Sequence, residues 1–188
     1  MTVLVYGAYG YTGERIAREL AARDVDIIVG GRNGTKTRGL GFQLGVESRV
    51  FDLDGVTNRG DADSAAPERG DGVAENLGDV DILLNCAGPV SDTYEPLVSA
   101  CLDAETHYLD ITGGLPVLEA IAARDREAER AGLCLLPGVG FDVVPTECLA
   151  AHLHGRLPDA MDLSLGFEAP GELSGGTLAT LIEHSDQS

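Results

Sequence analysis

The sequence predicts an α/β fold, a doubly wound parallel sheet with the beginning of a second, α+β domain behind it. Three observations carry this. Short apolar runs alternate with helical patterns along most of the chain. The apolar runs read as continuous Val/Ile/Leu rather than as alternating residues, which marks strands covered on both faces. Between the first run and the first helical pattern lies GAYGYTG, Gly7 to Gly13, with three glycines at three-residue spacing.

The strand candidates are TVLVY (2–6), DIIVG (26–30), SRVFD (48–52), DILLN (81–85), HYLDI (107–111) and LCLLP (133–137). Between them, TGERIARELAA sets Ile16 and Leu20 at i, i+4 beside Ala17 and Ala21. TYEPLVSACLDAE sets Leu97, Ala100, Cys101 and Ala104 on one face, and LPVLEAIAARDREAERAG does the same with Leu118, Ile121, Ala122 and Ala128. Gly34, Gly39, Gly41 and Gly45 crowd residues 33–45, so any helix there is expected to be short or broken. Residues 57–72 have no apolar periodicity and read as an acidic surface insertion.

The pattern changes after Pro137. GVGFDVVPTECLAAHLHGRLP opens on a glycine turn and continues as a helix, with Asp142 as its N-cap or as a substrate-side group. MDLSLGF (161–167) alternates like a strand with one wet face, and SGGTLATLIE (174–183) is a glycine turn with Thr177 as N-cap. The expected division is therefore a first domain over 1–140 and the start of an incomplete second one over 141–188.

The chain has 188 residues, 31 of them acidic and 13 basic, for a net charge of −18, and Lys36 is its single lysine. Such a field repels phosphate backbones and anionic bilayers, which argues against nucleic-acid and membrane partners. No apolar run approaches the roughly 18 residues of a membrane span, and the N-terminus lacks the basic flank of a signal peptide. A soluble, cytoplasmic protein is expected, and the acidic, lysine-poor composition fits a salty, halophilic cytoplasm. Cys86, Cys101, Cys134 and Cys148 form no CxxC pair, so neither a zinc site nor a disulfide framework is expected.

A glycine triplet that follows a strand and opens a helix is the context in which such a loop holds a dinucleotide. Gly7 permits the tight turn, Gly10 lets backbone approach a pyrophosphate, and Gly13 lets the helix pack on the strand. Ala8, Tyr9, Tyr11 and Thr12 complete the loop, and the helix aims unpaired N–H groups at the phosphates. The second strand chooses the cofactor. An NAD site usually ends that strand with Asp or Glu on the ribose hydroxyls, about 20 residues past the loop. Here the strand runs IIVGGRN, and Arg32 stands where the acid would be. Arginine pairs with a 2′-phosphate and offers nothing to a free diol, so NADP is expected over NAD. Asp52 meets the adenine or caps the third strand. NCAGPV (85–90) brings Cys86, Ala87, Gly88 and Pro89 past the nicotinamide side of the cleft, with Asn85 and Cys86 equally readable as strand-end residues that have no ligand role.

Reaction chemistry is less legible. No lysine follows Lys36, so the Tyr-x-x-x-Lys apparatus of short-chain dehydrogenases is absent, as are GxSxG and HExxH. His107, Tyr108 and Asp110, in THYLDITGG, are the catalytic candidates at the carboxyl edge of the fifth strand. Alternation sends Tyr108 and Asp110 to one face and His107 and Leu109 to the other. Their bland reading is a set of hydrogen bonds to neighbouring loops.

GAYGYTG, Arg32, NCAGP, AC-x5-HYLDITG and PGVGFDVVPTE, in this order, resemble the saccharopine dehydrogenase-like oxidoreductases, nearest the branch holding the trans-acting enoyl reductases. The likeness runs from residue 1 to about 180, with 57–72 outside it. It implies a Rossmann domain binding NADP or NAD, a substrate domain covering the nicotinamide, a homodimer, and hydride transfer to a C=C, C=N or C=O bond of a small molecule. Three departures stand out. Gly113-Gly114 replaces a usual Gly-Glu, Pro145-Thr146-Glu147 replaces Pro-x-Asp, and members typically continue far past SGGT. The expectation is an NADP-dependent oxidoreductase with an incomplete substrate half, against a non-enzymatic NADP-binding redox sensor or an inactive truncated reductase.

Overall fold

Val, Ile and Leu runs too short for helices pair here as strands, the central ones covered on both faces and the two edge strands partly open. The computed structural model describes residues 1–53, 72–141 and 143–166. In chain order these form β1 (Thr2–Tyr6), α1 (Tyr11–Ala22), β2 (Asp26–Gly31), α2 (Gly34–Leu44), β3 (Glu47–Val50), a 3-10 turn (Val73–Leu77), β4 (Ile82–Asn85), α3 (Val90–Asp103), β5 (His107–Asp110), α4 (Leu115–Ala122), α5 (Asp125–Ala131), β6 (Leu135–Leu136) and α6 (Val144–Arg156). The strands are parallel and ordered β3-β2-β1-β4-β5-β6. That order is two mononucleotide-binding halves back to back, with the direction of winding reversed between β1 and β4. The predicted doubly wound sheet is the fold.

Alternation along each strand divides the core in two. Leu4, Tyr6, Ile28, Leu83 and Tyr108 face Leu97, Val98 and Cys101 of α3 and Val117 and Ile121 of α4. Val3, Val5, Ile27, Val29 and Leu84 face Ala17 of α1 and Leu40 of α2. Each fully buried Leu or Val contributes roughly 1.5–3 kcal/mol, and this two-sided burial sets the register of β1 against β2 and β4.

Four expectations change. Residues 34–44 form one unbroken helix, α2, despite their glycines. Its ends are well made: the Asn33 side chain accepts the Lys36 N–H at 3.0 Å, and Gly45, at φ 69°, ends the helix in the left-handed region. There Val46 N–H returns to Gly41 O and Gly45 N–H to Phe42 O, closing the carbonyls a helix end leaves open. Gly41 is also a packing requirement, since a Cβ there would stand 2.9 Å from that of Ser48. Second, the long helix predicted over 115–132 bends at Ala123–Arg124 into α4 and α5. Third, residues 161–166 form no strand, because they have no sheet to join and lie exposed. Fourth, β3 and β6 are shorter than their apolar runs. The segment 174–183 and Asp142 lie outside the described residues, as does all but the last residue of the predicted insertion. Beyond the sheet, α6 is a helix with none of its residues buried.

Candidate functional site: a dinucleotide cleft at the carboxyl edge

All six strands end at one edge, and the elements there build the site. β1 gives way at Gly7, whose φ of 76° is open to glycine and costly to other residues. The turn is pinned to β2, because Gly7 N–H and Ala8 N–H both donate to Gly30 O, at 2.9 and 3.2 Å. A Cβ on Gly7 would stand 2.6 Å from Ala87 N in the crest after β4, and one on Gly13 would collide with the Gly7 carbonyl. Loop, helix and crest therefore touch backbone to backbone, and only glycines fit there. Gly10 caps α1 without a side-chain bond, so the first N–H groups of that helix stand open at the crevice between β1 and β4.

The rest of the loop sorts by exposure. Ala8 is buried; Tyr11 and Thr12 are exposed, and Arg15 stacks on the Tyr11 ring at 4.1 Å. The half-buried Tyr9 lies across the end of β2, where a Cβ on Gly31 would meet its ring at 2.6 Å. Arg32 follows directly. It is exposed and has no hydrogen bond or ion pair among the described residues. Lys36, in the first turn of α2, holds its ammonium 5.8 Å from the Tyr9 ring centre. That helix turn carries no acid and is capped by Asn33, so the charges of Arg32 and Lys36 stand unopposed there, with the positive end of the helix dipole behind them, an arrangement that attracts an anion. Lys36 is a further candidate that the site geometry adds, signalled in the sequence only as a lone lysine four positions after Arg32. Asp52 is exposed, and its Oδ1 accepts the Leu53 N–H at 2.8 Å, closing a local turn beyond the end of β3.

On the β4 side, Cys86 N–H donates to Tyr6 O at 2.8 Å. Burial, with the nearby Asp110 carboxylate second, pushes the Cys86 thiol up to about 12, which keeps it protonated and unreactive at neutral pH. Ala87 N–H donates to Asn85 Oδ1 at 3.0 Å. Gly88 is exposed, and Pro89, joined to it by a cis peptide bond, caps α3.

The three catalytic candidates separate. Tyr108 and Asp110 share a face, as alternation requires, but both are fully buried. Tyr108 O–H donates to Asp110 Oδ2 at 3.0 Å and accepts from Asn85 Nδ2 at 3.2 Å. Burial first, and the Asp110 charge second, push the Tyr108 phenol well above its ordinary value. His107 opens β5 rather than closing it. With only four residues in the strand it stands at the amino edge, away from the cleft, and its Nδ1 accepts the Cys134 N–H at 3.0 Å. Expecting His107 at the carboxyl edge was a misplacement by one strand length.

A glycine cradle at the switch point, open helix N–H groups, and an unpaired arginine ending β2 define a dinucleotide-binding domain. Residues 3–136 match the family described as the saccharopine dehydrogenase NADP binding domain, and the chain belongs to that family. NADP is thus the cofactor of this domain. Its relatives include a trans-acting enoyl reductase of Mycobacterium tuberculosis, 29% identical over 192 residues, and one of Mycobacterium ulcerans, 28% identical over 191. Each alignment takes in 96% of this chain and 44% of the relative, so the chain spans less than half of their length. Among solved structures, apo saccharopine dehydrogenase (L-Glu forming) from Saccharomyces cerevisiae superimposes with a TM-score of 0.64 at 18% identity, covering 84% of this chain and 31% of that one. Yeast methylglyoxal/isovaleraldehyde reductase Gre2 complexed with NADPH gives 0.51 at 18% identity, over 72% of this chain and 52% of that one. At such identities the likeness is one of fold. Among the described residues, no helix is long and apolar enough to cross a membrane.

Proposed function

We propose that the chain is the cofactor-binding part of an NADP-dependent oxidoreductase acting on a small molecule with a C=C, C=N or C=O bond. The observation that carries this is the pairing of the Gly7–Ala87 cradle with a free Arg32 at the end of β2. In this reading the first N–H groups of α1 hold the pyrophosphate, Arg32 and Lys36 hold the 2′-phosphate, and Ala87 and Gly88 admit the nicotinamide end. When bound, the cofactor supplies a hydride. The protein's own part is to bind, orient and exclude water. A cytoplasmic, high-salt setting and pairing of two copies belong to the same reading, supported by the net charge of −18 and by the exposed apolar side chains of Phe141, Leu149 and Leu157.

A second reading, an NADP-binding module without turnover, is favoured by one specific observation. Tyr108 and Asp110 are committed to buried hydrogen bonds and His107 sits at the far edge, so none of the three offers a proton at the cleft. Stopped-flow oxidation of NADPH against enoyl, imine and carbonyl substrates separates the two. Turnover supports the oxidoreductase; NADPH binding with no turnover on any of them supports the module.

A further inference from the structure

Asn85, Tyr108 and Asp110, each completely buried, form one polar chain beneath the second half of the cleft. Asp110 Oδ1 accepts two backbone N–H groups, Thr112 after β5 and Gly138 after β6, both at 2.9 Å. Its Oδ2 takes the Tyr108 O–H, and Tyr108 takes Asn85 Nδ2. Asn85 Oδ1 then accepts Ala87 N–H, while the other Nδ2 bond goes to Thr93, whose hydroxyl donates to Ala87 O at 3.1 Å. One carboxylate thereby ties the crests after three neighbouring strands, β4, β5 and β6. The first of those crests is the one on which Gly7 rests.

Stability alone does not call for this device. A buried carboxylate served by neutral donors carries a desolvation cost that apolar packing avoids. What the network provides is a fixed backbone at the carboxyl ends of β4 to β6, where the second half of a dinucleotide lies in this fold. We propose that Asp110 is a positioning residue for the nicotinamide end of NADP, acting through Tyr108 and Asn85 on the Ala87 crest and directly on the crests after β5 and β6. The proposal rests on the cofactor reading above. It touches only the nicotinamide half, because the 2′-phosphate corner at Arg32 and Lys36 lies on the other side of β1.

The test compares two probes on the full chain by calorimetry: NADPH, and adenosine 2′,5′-bisphosphate, which lacks the nicotinamide. The unsubstituted chain should bind NADPH more tightly than the bisphosphate. Asp110→Asn keeps the acceptor for Thr112 and Gly138 but turns an NH2 toward the Tyr108 hydroxyl. It should weaken NADPH at least tenfold and move the bisphosphate by less than twofold. Tyr108→Phe removes the bond to Asp110 Oδ2 together with the one from Asn85, leaving the Asp110 bonds to Thr112 and Gly138 in place. It should weaken NADPH at least threefold, again sparing the bisphosphate; it decides the matter if Asp110→Asn does not fold. Equal weakening of both probes, or no change in either for a folded variant, overturns the proposal, as does equal affinity of the unsubstituted chain for the two. If that chain binds neither probe, the cofactor reading itself fails, and that outcome is distinct.

Discussion

Gly7 and Ala87 are far apart in sequence, in the loops after β1 and β4, yet a Cβ on Gly7 would lie 2.6 Å from the Ala87 nitrogen. The contact joins the two halves of the sheet at the switch point. Substituting Gly7→Ala therefore costs twice: a residue with a side chain loses roughly 1–2 kcal/mol in the left-handed region, and backbone must retreat from backbone. Urea unfolding should show a loss of about 2–4 kcal/mol in all, with NADPH binding abolished. Gly88→Ala, one residue past the contact, has nothing within 4 Å and should leave stability unchanged.

The buried thiols make the fold sensitive to alkali. Burial pushes Cys101 up to about 12, and burial with the Asp110 charge does the same for Cys86, from an ordinary 9.0. A folded value above the unfolded one means that this contribution is intact below pH 9.0 and is lost as pH rises toward 12. Between those limits each thiol should reduce unfolding free energy by about 1.4 kcal/mol per pH unit. Urea titrations at pH 8, 9.5 and 10.5 check the slope, and Cys86→Ser with Cys101→Ala should flatten it. At neutral pH a thiol reagent should label the exposed Cys134 and Cys148 quickly and the buried pair only after unfolding.

Glu105 holds φ at 56° where α3 ends, and Thr106 N–H returns from there to Cys101 O at 2.9 Å. Glycine is the usual residue at such a helix end. Glu105→Gly trades about 1–2 kcal/mol of left-handed strain against about 0.5–1 kcal/mol of backbone entropy. The expected gain is about 0.5–1 kcal/mol, read as a Tm rise of a few degrees. Asp24, at φ 56° after α1, should gain less from the same change, because Asp tolerates this conformation better than Glu does.

How much of this was legible in the chain varies with the length scale of its cause. The sheet was, since continuous apolar runs and helical spacing are local signals, and so was the glycine loop, whose spacing states its own geometry. The continuity of α2 was not. Its glycines read as breakers, whereas Gly41 answers to Ser48, a fact of packing, and Gly45 supplies the left-handed turn that ends the helix. The alternation that put Tyr108 and Asp110 on one face held, but their depth did not follow from it, because Tyr108 packs in a core shared with α3 and α4 and the hydrogen-bond partners Asn85, Thr112 and Gly138 lie outside the strand. Lys36 escaped notice for the same reason. Its relation to Tyr9 runs from one βα loop to the next helix.

Charge recognition at the end of β2 is the account's central claim, and Arg32→Asp tests it most directly. Calorimetric titration of the full chain with NADPH and with NADH, before and after that substitution, gives one ratio of affinities. The account predicts that the unsubstituted chain favours NADPH and that Arg32→Asp reverses or abolishes the preference, losing NADPH affinity at least tenfold while NADH affinity holds or improves. A chain that binds NADPH and NADH alike, or whose preference survives Arg32→Asp unchanged, would contradict it.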